Sequence, residues 1–232
     1  MMKNILITGI GSGLGEALAK AYLDNGDAVY AIGRTFPKAF DHYSHFFFFP
    51  YDLSQTFMIA SDIAPFVKNH TFDLVILNAG VLGEIATLTD IQLSEIKEVM
   101  EINVWANKEL IDTLSKQAKV TQIVGISSGA AVNGSKGWGP YSLSKSALNM
   151  LLKVYAKELP DIHFSALAPG IIKTPMTDII IEKVDDTVFP SAKKLKESHI
   201  QTAHEAAMNL LYVIPKLLDY ESGSFVDVRE MS

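Results

Sequence analysis

Short apolar runs rich in β-branched and aromatic residues alternate with longer stretches of helical periodicity along the whole chain, and that alternation admits few folds. The runs are Asn4 to Ile7, Ala28 to Ile32, Phe46 to Pro50, Asp73 to Leu77, Thr121 to Ile126, His163 to Leu167 and Ser224 to Val228. Helical patterns cover Gly13 to Asn25, Gln55 to Lys68, Leu93 to Lys116, Pro140 to Glu158 and Ala203 to Leu218. Strands and helices in alternation make βαβ units, with parallel strands and helices on both faces of the sheet. The pattern therefore predicts an α/β fold, a single domain over residues 1–232 built on a doubly wound, seven-stranded, mainly parallel sheet. The run "HFFFFP" is expected as a central strand buried on both faces. Between Thr174 and Ile200 the chain mixes apolar clusters, charges and an internal proline, which predicts short helices forming a mobile lid over a cleft.

Composition removes several function classes. With 232 residues, 48% of them hydrophobic, the chain can bury a sizeable core. No apolar stretch reaches the roughly 20 residues of a membrane span, so a soluble protein is expected. A formal charge of -6 gives no general attraction to nucleic acid, and Lys193, Lys194 and Lys196 read as a solvated helix face. Without cysteine there are no disulfides, thiolate metal sites or thiol nucleophiles. The six histidines show no metal-ligand spacing, and no metal is expected. The apolar run before the first glycines is too short for a secretion signal, which predicts a cytoplasmic protein.

That first run leads into "ITGIGSGLGEALA", with glycines at 9, 11, 13 and 15 between the first strand and the first helix. In an open parallel sheet, ligands lie beyond the carboxyl ends of the strands. A glycine-rich turn there lets a pyrophosphate reach bare N–H groups at the positive end of a helix. The turn alone leaves a nicotinamide cofactor, another nucleotide and S-adenosylmethionine open, as well as a tight turn with no ligand.

A second cluster, "SSGAAVNGSKGWGPYSLSK", narrows the choice. Tyr141 and Lys145 are four apart on a predicted helix and so share one face, while Ser128 follows the fifth strand at the edge where ligands bind. Here the chain resembles the short-chain dehydrogenase/reductase family. The shared pattern is T-G-x-x-x-G-x-G at Thr8, Gly9, Gly13 and Gly15, N-A-G at Asn78 to Gly80, and Asn103. It continues with a Ser thirteen residues before the Tyr of Y-x-x-x-K, and P-G followed by Thr at Pro169, Gly170 and Thr174. The stretches "SSGAA", "KGWGPYSLSK" and "GSFVDVRE" are similar to the sepiapterin reductase and benzil reductase branch, whose members reduce ketones flanked by a second carbonyl.

The resemblance implies a Rossmann-type fold and a carbonyl reductase in which Tyr141 donates the proton. Lys145 would lower the pKa of that phenol and bind the nicotinamide ribose, Ser128 would hold the substrate carbonyl, and Asn103 would order a water leading to Lys145. It also implies cofactor contacts from Thr8, Gly9, Ser12, Gly13, Leu14, Gly15, Asp52, Leu53, Asn78, Ala79, Gly80, Pro169, Gly170, Ile172 and Thr174, and substrate contacts from Trp138 and Asp227. At the end of the second strand Gly33 stands where an NAD enzyme usually carries a repelling acid, and Arg34 follows, so NADP(H) is expected over NAD(H) even though Ser12 adds no second basic group. Helix 140–158 is apolar on two sides, with Leu143, Ala147, Met150, Leu151 and Val154 on one stripe and Leu148, Leu152, Tyr155 and Leu159 on the other. One stripe can cover the sheet, and in the family the other meets its copy in a second subunit, which predicts a homodimer or homotetramer. Two other classes compete: a catalytically silent NADP(H)-binding regulator or scaffold on the same fold, and an S-adenosylmethionine methyltransferase, which would leave Y-x-x-x-K without a purpose.

Overall fold

The computed structural model describes residues 2–231. Seven strands, β1 (Asn4–Thr8), β2 (Ala28–Gly33), β3 (Phe46–Pro50), β4 (Thr71–Leu77), β5 (Lys119–Ile126), β6 (His163–Ala168) and β7 (Ser224–Asp227), form one all-parallel sheet in the order β3-β2-β1-β4-β5-β6-β7. The order reverses on either side of β1, so the crossovers place helices on both faces and open a crevice where β1 and β4 part. Helices α1 (Gly13–Asp24) and α8 (Ala203–Lys216) cover one face. Helices α2 (Ile59–Val67), α4 (Ala106–Gln117) and α5 (Gly139–Glu158) cover the other.

Strand alternation assigns the side chains to the two faces. Ile5, Ile7, Val29 and Ala31 meet Leu18 of α1 and Leu210 of α8 on one side. Leu6, Ile32, Val75 and Leu77 meet Ile111 and Leu114 of α4 and Leu148 and Leu152 of α5 on the other. A smaller third cluster, built on Leu82, Trp138, Ile180 and Ala192, lies over the carboxyl ends of the strands.

Two expectations are corrected. The aromatic strand β3 is an edge strand that pairs with β2 alone, and Phe47 is 42% exposed. Its rings find partners sideways instead of from a second neighbouring strand. Phe47 stacks on Tyr30 at 4.7 Å and Phe49 on Phe66 at 5.3 Å, while Phe36 and Phe40 pack edge-on against Phe48 and Phe46. Centroid separations in this range are those of favourable aromatic pairs. The single helix expected over 93–116 is interrupted: α3 (Leu93–Met100) passes into a π-helical turn over Glu101–Trp105 before α4 begins. Such turns shift the helical register and leave carbonyls for other partners. The segment after β6 does form two short helices, α6 (Pro175–Lys183) and α7 (Pro190–Glu197).

Candidate active site

The glycines let β1 and α1 meet closely. Gly9 has φ +74°, and a Cβ on Gly15 would lie 2.2 Å from the Gly9 carbonyl oxygen and 2.4 Å from Nδ2 of Asn78. The amide of Asn78 donates to the carbonyls of Thr8 and Gly9, each at 3.0 Å. The hydroxyl of Thr8 accepts the backbone N–H groups of Asn78 at 3.0 Å and Ala79 at 3.1 Å. Thr8 is thus fully buried between β1 and β4 and does not line the cleft, contrary to the cofactor contact expected of it. Ser12 precedes α1 without a side-chain capping bond, so the N–H groups of the first turn stay free at the positive end of the helix.

From this turn a cleft of about 600 Å³ runs along the carboxyl ends of the strands. Gly9, Ser12, Gly13, Leu14, Gly15, Asn78, Ala79 and Gly80 line its middle. Arg34, Asp52 and Leu53 line one end, where Asp52 accepts the N–H of Ser54 at 3.0 Å and that bond holds its carboxyl below the usual carboxylate range. Pro169, Gly170, Ile172 and Thr174 line the opposite wall, and Thr174 also caps α6.

Ser128, Tyr141 and Lys145 come together at the far end. Ser128 stands two residues beyond β5, accepts the N–H of Ala130 at 3.1 Å and lines the same end of the cleft as Tyr141. Lys145, one turn further along α5, is buried, donates to the Ile126 carbonyl at 2.7 Å and lies 5.6 Å from the centre of the Tyr141 ring. The expected depression of the phenol by lysine is not found. Poor solvation pushes Tyr141 up to about 12, against a smaller downward pull from Ser128, and pushes Lys145 down to about 8. Both charged forms are disfavoured by burial, and the ammonium is aimed at a carbonyl instead of the phenol oxygen.

Asn103 sits in the π-helical turn, fully buried. Its side chain accepts the Val81 N–H at 2.8 Å and donates to the Val81 carbonyl at 2.9 Å and to Ser144 Oγ, also at 2.9 Å. Ser144 in turn donates to the Tyr141 carbonyl at 2.8 Å, so Asn103 ties the loop after β4 to the turn that carries the tyrosine. The carbonyl of Asn103 accepts Nδ2 of Asn107 at 2.8 Å. Neither Ser144 nor Asn107 was legible as a supporting residue, because each reads as an ordinary polar position on a helix.

The walls beside the tyrosine are apolar. Leu82, Trp138, Met176, Ile180 and Leu195 line this end, with the Trp138 ring 6.5 Å from that of Tyr141. Trp138 was expected there, Met176, Ile180 and Leu195 come from the segment expected as a lid, and Leu82 carries no sequence signal. Asp227 is not among the lining residues: Arg229 engages its carboxylate twice, at 2.9 and 2.5 Å, and holds it well below the usual range.

Comparison with known proteins agrees with this geometry. Residues 3–185 match the model of the short chain dehydrogenase family. An uncharacterized oxidoreductase of Schizosaccharomyces pombe is 34% identical over 187 residues, 75% of this chain and 72% of that protein. Benzil reductase ((S)-benzoin forming) of Bacillus cereus is 27% identical over 250 residues, 99% of this chain and all of that one. The crystal structure of a short chain dehydrogenase/reductase from Saccharomyces cerevisiae superposes with a TM-score of 0.83 at 25% identity, covering 97% of this chain and 95% of that chain. A Rossmann-type sheet, a glycine turn beside its central strand and a Ser–Tyr–Lys group at its carboxyl edge thus accompany matches that run through most of the sequence, and the chain belongs to the short chain dehydrogenase family of oxidoreductases.

Proposed function

We propose that the protein is an NADP(H)-dependent carbonyl reductase that converts a neutral, apolar ketone, with a 1,2-diketone as the first choice, into an alcohol. The observation that carries this reading is the convergence of Ser128, Tyr141 and Lys145 on a compartment otherwise walled by Leu82, Trp138, Met176, Ile180 and Leu195. Among the described residues no acidic or basic side chain other than Lys145 lines that end, so a charged substrate would lose solvation there without gaining a partner. The similarity to benzil reductase points to the diketone class.

The residues present fit a nicotinamide dinucleotide. The uncapped first turn of α1 offers N–H groups to a pyrophosphate, and a Cβ on Gly80 would stand 3.0 Å from Asn103 Oδ1 and 3.5 Å from Lys145 Nζ, so bare backbone leaves room beside the lysine. When bound, the cofactor supplies the hydride. The protein's part is to hold the ketone oxygen between Ser128 Oγ and Tyr141 Oη and to deliver the Tyr141 proton as negative charge builds on that oxygen. A phenol raised to about 12 stays protonated through the neutral range, as a proton donor must. Lys145 then offsets the charge of the phenolate left behind.

For the cofactor phosphate we assign Arg34, beside Gly33 where a repelling acid is missing. Arg34→Ala is expected to raise KM for NADPH by about tenfold, the loss of one charge-assisted contact, and to leave KM for NADH nearly unchanged. Equal losses with both cofactors would show that Arg34 supports the loop only.

The proposed enzyme works as a dimer or tetramer. Leu143, Met150 and Val154 on α5 stay exposed, as does Trp105 in the neighbouring π-helical turn, while Leu148 and Leu152 are fully buried against the sheet. A second copy presenting the same stripe would cover them. Light scattering at micromolar concentration should give a multiple of the 25.4 kDa chain mass, and a monomer would end this part of the proposal.

A further inference from the structure

The segment carrying α7 is fastened to the residues just before Tyr141 by contacts that neither the hydride chemistry nor the cofactor explains. The indole Nε1 of Trp138 donates to Oγ of Ser191, in the first turn of α7. Phe189, immediately before α7, packs against Gly137: that glycine has φ +91°, and a Cβ on it would come within 2.5 Å of the phenylalanine ring. Lys136 Nζ stands 5.6 Å from the centre of the same ring. Three consecutive residues, 136 to 138, therefore grip two positions at the start of α7, and the last of the three is also a wall of the substrate compartment.

We propose that Ser191 and Phe189 form a latch on Trp138, a set of positioning residues that holds the α6–α7 segment shut over the apolar compartment and governs how fast ligands leave it. The latch acts through Trp138. The indole lies 6.5 Å from the ring of Tyr141, tilted against it, while its N–H is held by Ser191, so an open segment frees the indole and a seated ligand favours the closed one. The hydrogen bond is what the substitutions can remove singly. Without Ser191 Oγ the indole N–H loses its partner in a nearly buried place, and Trp138→Phe keeps an aromatic wall while removing the donor. Because both variants break one bond, their effects should not add.

This inference rests on the carbonyl reductase reading, and its test separates the two. With benzil as the probe substrate and NADPH, Ser191→Ala is expected to raise KM by about two- to tenfold, the range for one neutral hydrogen bond, with kcat unchanged or higher and the single-turnover hydride-transfer rate unaltered. Trp138→Phe should raise KM at least as much, the double variant no more than Trp138→Phe alone, and Ser191→Thr should restore the parent value. Independently of any turnover, backbone hydrogen exchange across residues 185–197 should quicken to the same extent in Ser191→Ala, Trp138→Phe and the pair. Additive acceleration, or none, would overturn the latch whatever the substrate proves to be. No turnover of benzil alongside the shared acceleration would leave the latch standing and count against the diketone reading. A fall in the single-turnover rate of Ser191→Ala would show that Ser191 shapes the reacting geometry instead, and would also overturn it.

Discussion

Tyr141→Phe should lower kcat for ketone reduction by about three orders of magnitude, within the range for removing a positioned general acid, and leave cofactor affinity within about twofold. The ring remains, so its packing beside Trp138 and its place on α5 are kept, and only the phenolic hydroxyl is lost. Absorbance of reduced nicotinamide followed under saturating diketone measures kcat, and quenching of protein fluorescence by NADPH measures affinity. The parent enzyme's pH profile is part of the same prediction. Burial sets Lys145 near 8, below its ordinary value, so the ammonium that offsets the phenolate is present at neutral pH and is lost as the pH rises through about 8. The rate should hold level through neutrality and fall beyond that point. A variant that keeps most of its turnover would remove Tyr141 from the chemistry. An alkaline limb appearing only near 12 would mean that the lysine charge is not needed.

Gly15→Ala should be the most damaging single methyl in the protein. Its Cβ would stand 2.2 Å from a backbone oxygen that β1 and its turn hold in place, and 2.4 Å from the amide that ties Asn78 to that turn. Relief requires α1 to back away from the sheet and Asn78 to give up bonds to Thr8 and Gly9. Overpacking of this kind together with a lost hydrogen bond comes to about 3 kcal/mol. For a domain of this size that is a fall in Tm of roughly 6–12 °C. Calorimetry of the free protein reads it directly, and weakened NADPH binding should accompany it, because the same turn presents the N–H groups of α1. A Tm within about 2 °C of the parent, less than 1 kcal/mol, would show that the turn yields easily and that the glycine is not required by packing.

Some of this architecture is plain in the sequence and some is not. The seven strands were legible because each is a short apolar run between turn-forming residues, and residues such as Ser128, Tyr141 and Lys145 were legible because a spacing of four on a helix and a strand end fix their relative positions. Strand order is another matter. Nothing local in "HFFFFP" distinguishes a strand flanked by two others from an edge strand whose rings stack on Tyr30 and Phe66. The π-helical turn at Asn103 was hidden for a related reason: helical periodicity survives one extra residue, so the pattern over 93–116 looks continuous. Thr8 and Asn78 belong to the right motif, yet in the structure much of their hydrogen bonding is with each other's segments, a distinction that only the contacts reveal. The apolar compartment was legible only as a lid over 174–200 beside Trp138: which of its residues turn inward, Met176, Ile180 and Leu195, and that Leu82 joins them from the loop after β4, depends on how separate segments pack.

The sheet order has a bearing on how the chain is made. β1 precedes the other six strands of the sheet in the chain and lies inside it, with β2 on one side and β4 on the other. Residues 4–50 can assemble β1, β2 and β3 early, but the second edge of β1 stays bare until residues 71–77 follow, and an apolar strand with a bare edge invites pairing with other chains. The hydroxyl of Thr8 waits for the same arrival, since its partners are the N–H groups of Asn78 and Ala79 about seventy residues later. The nascent protein therefore passes through an interval in which the first strand of its sheet is the most vulnerable one, and the glycine turn gains its ties to Asn78 as that interval closes.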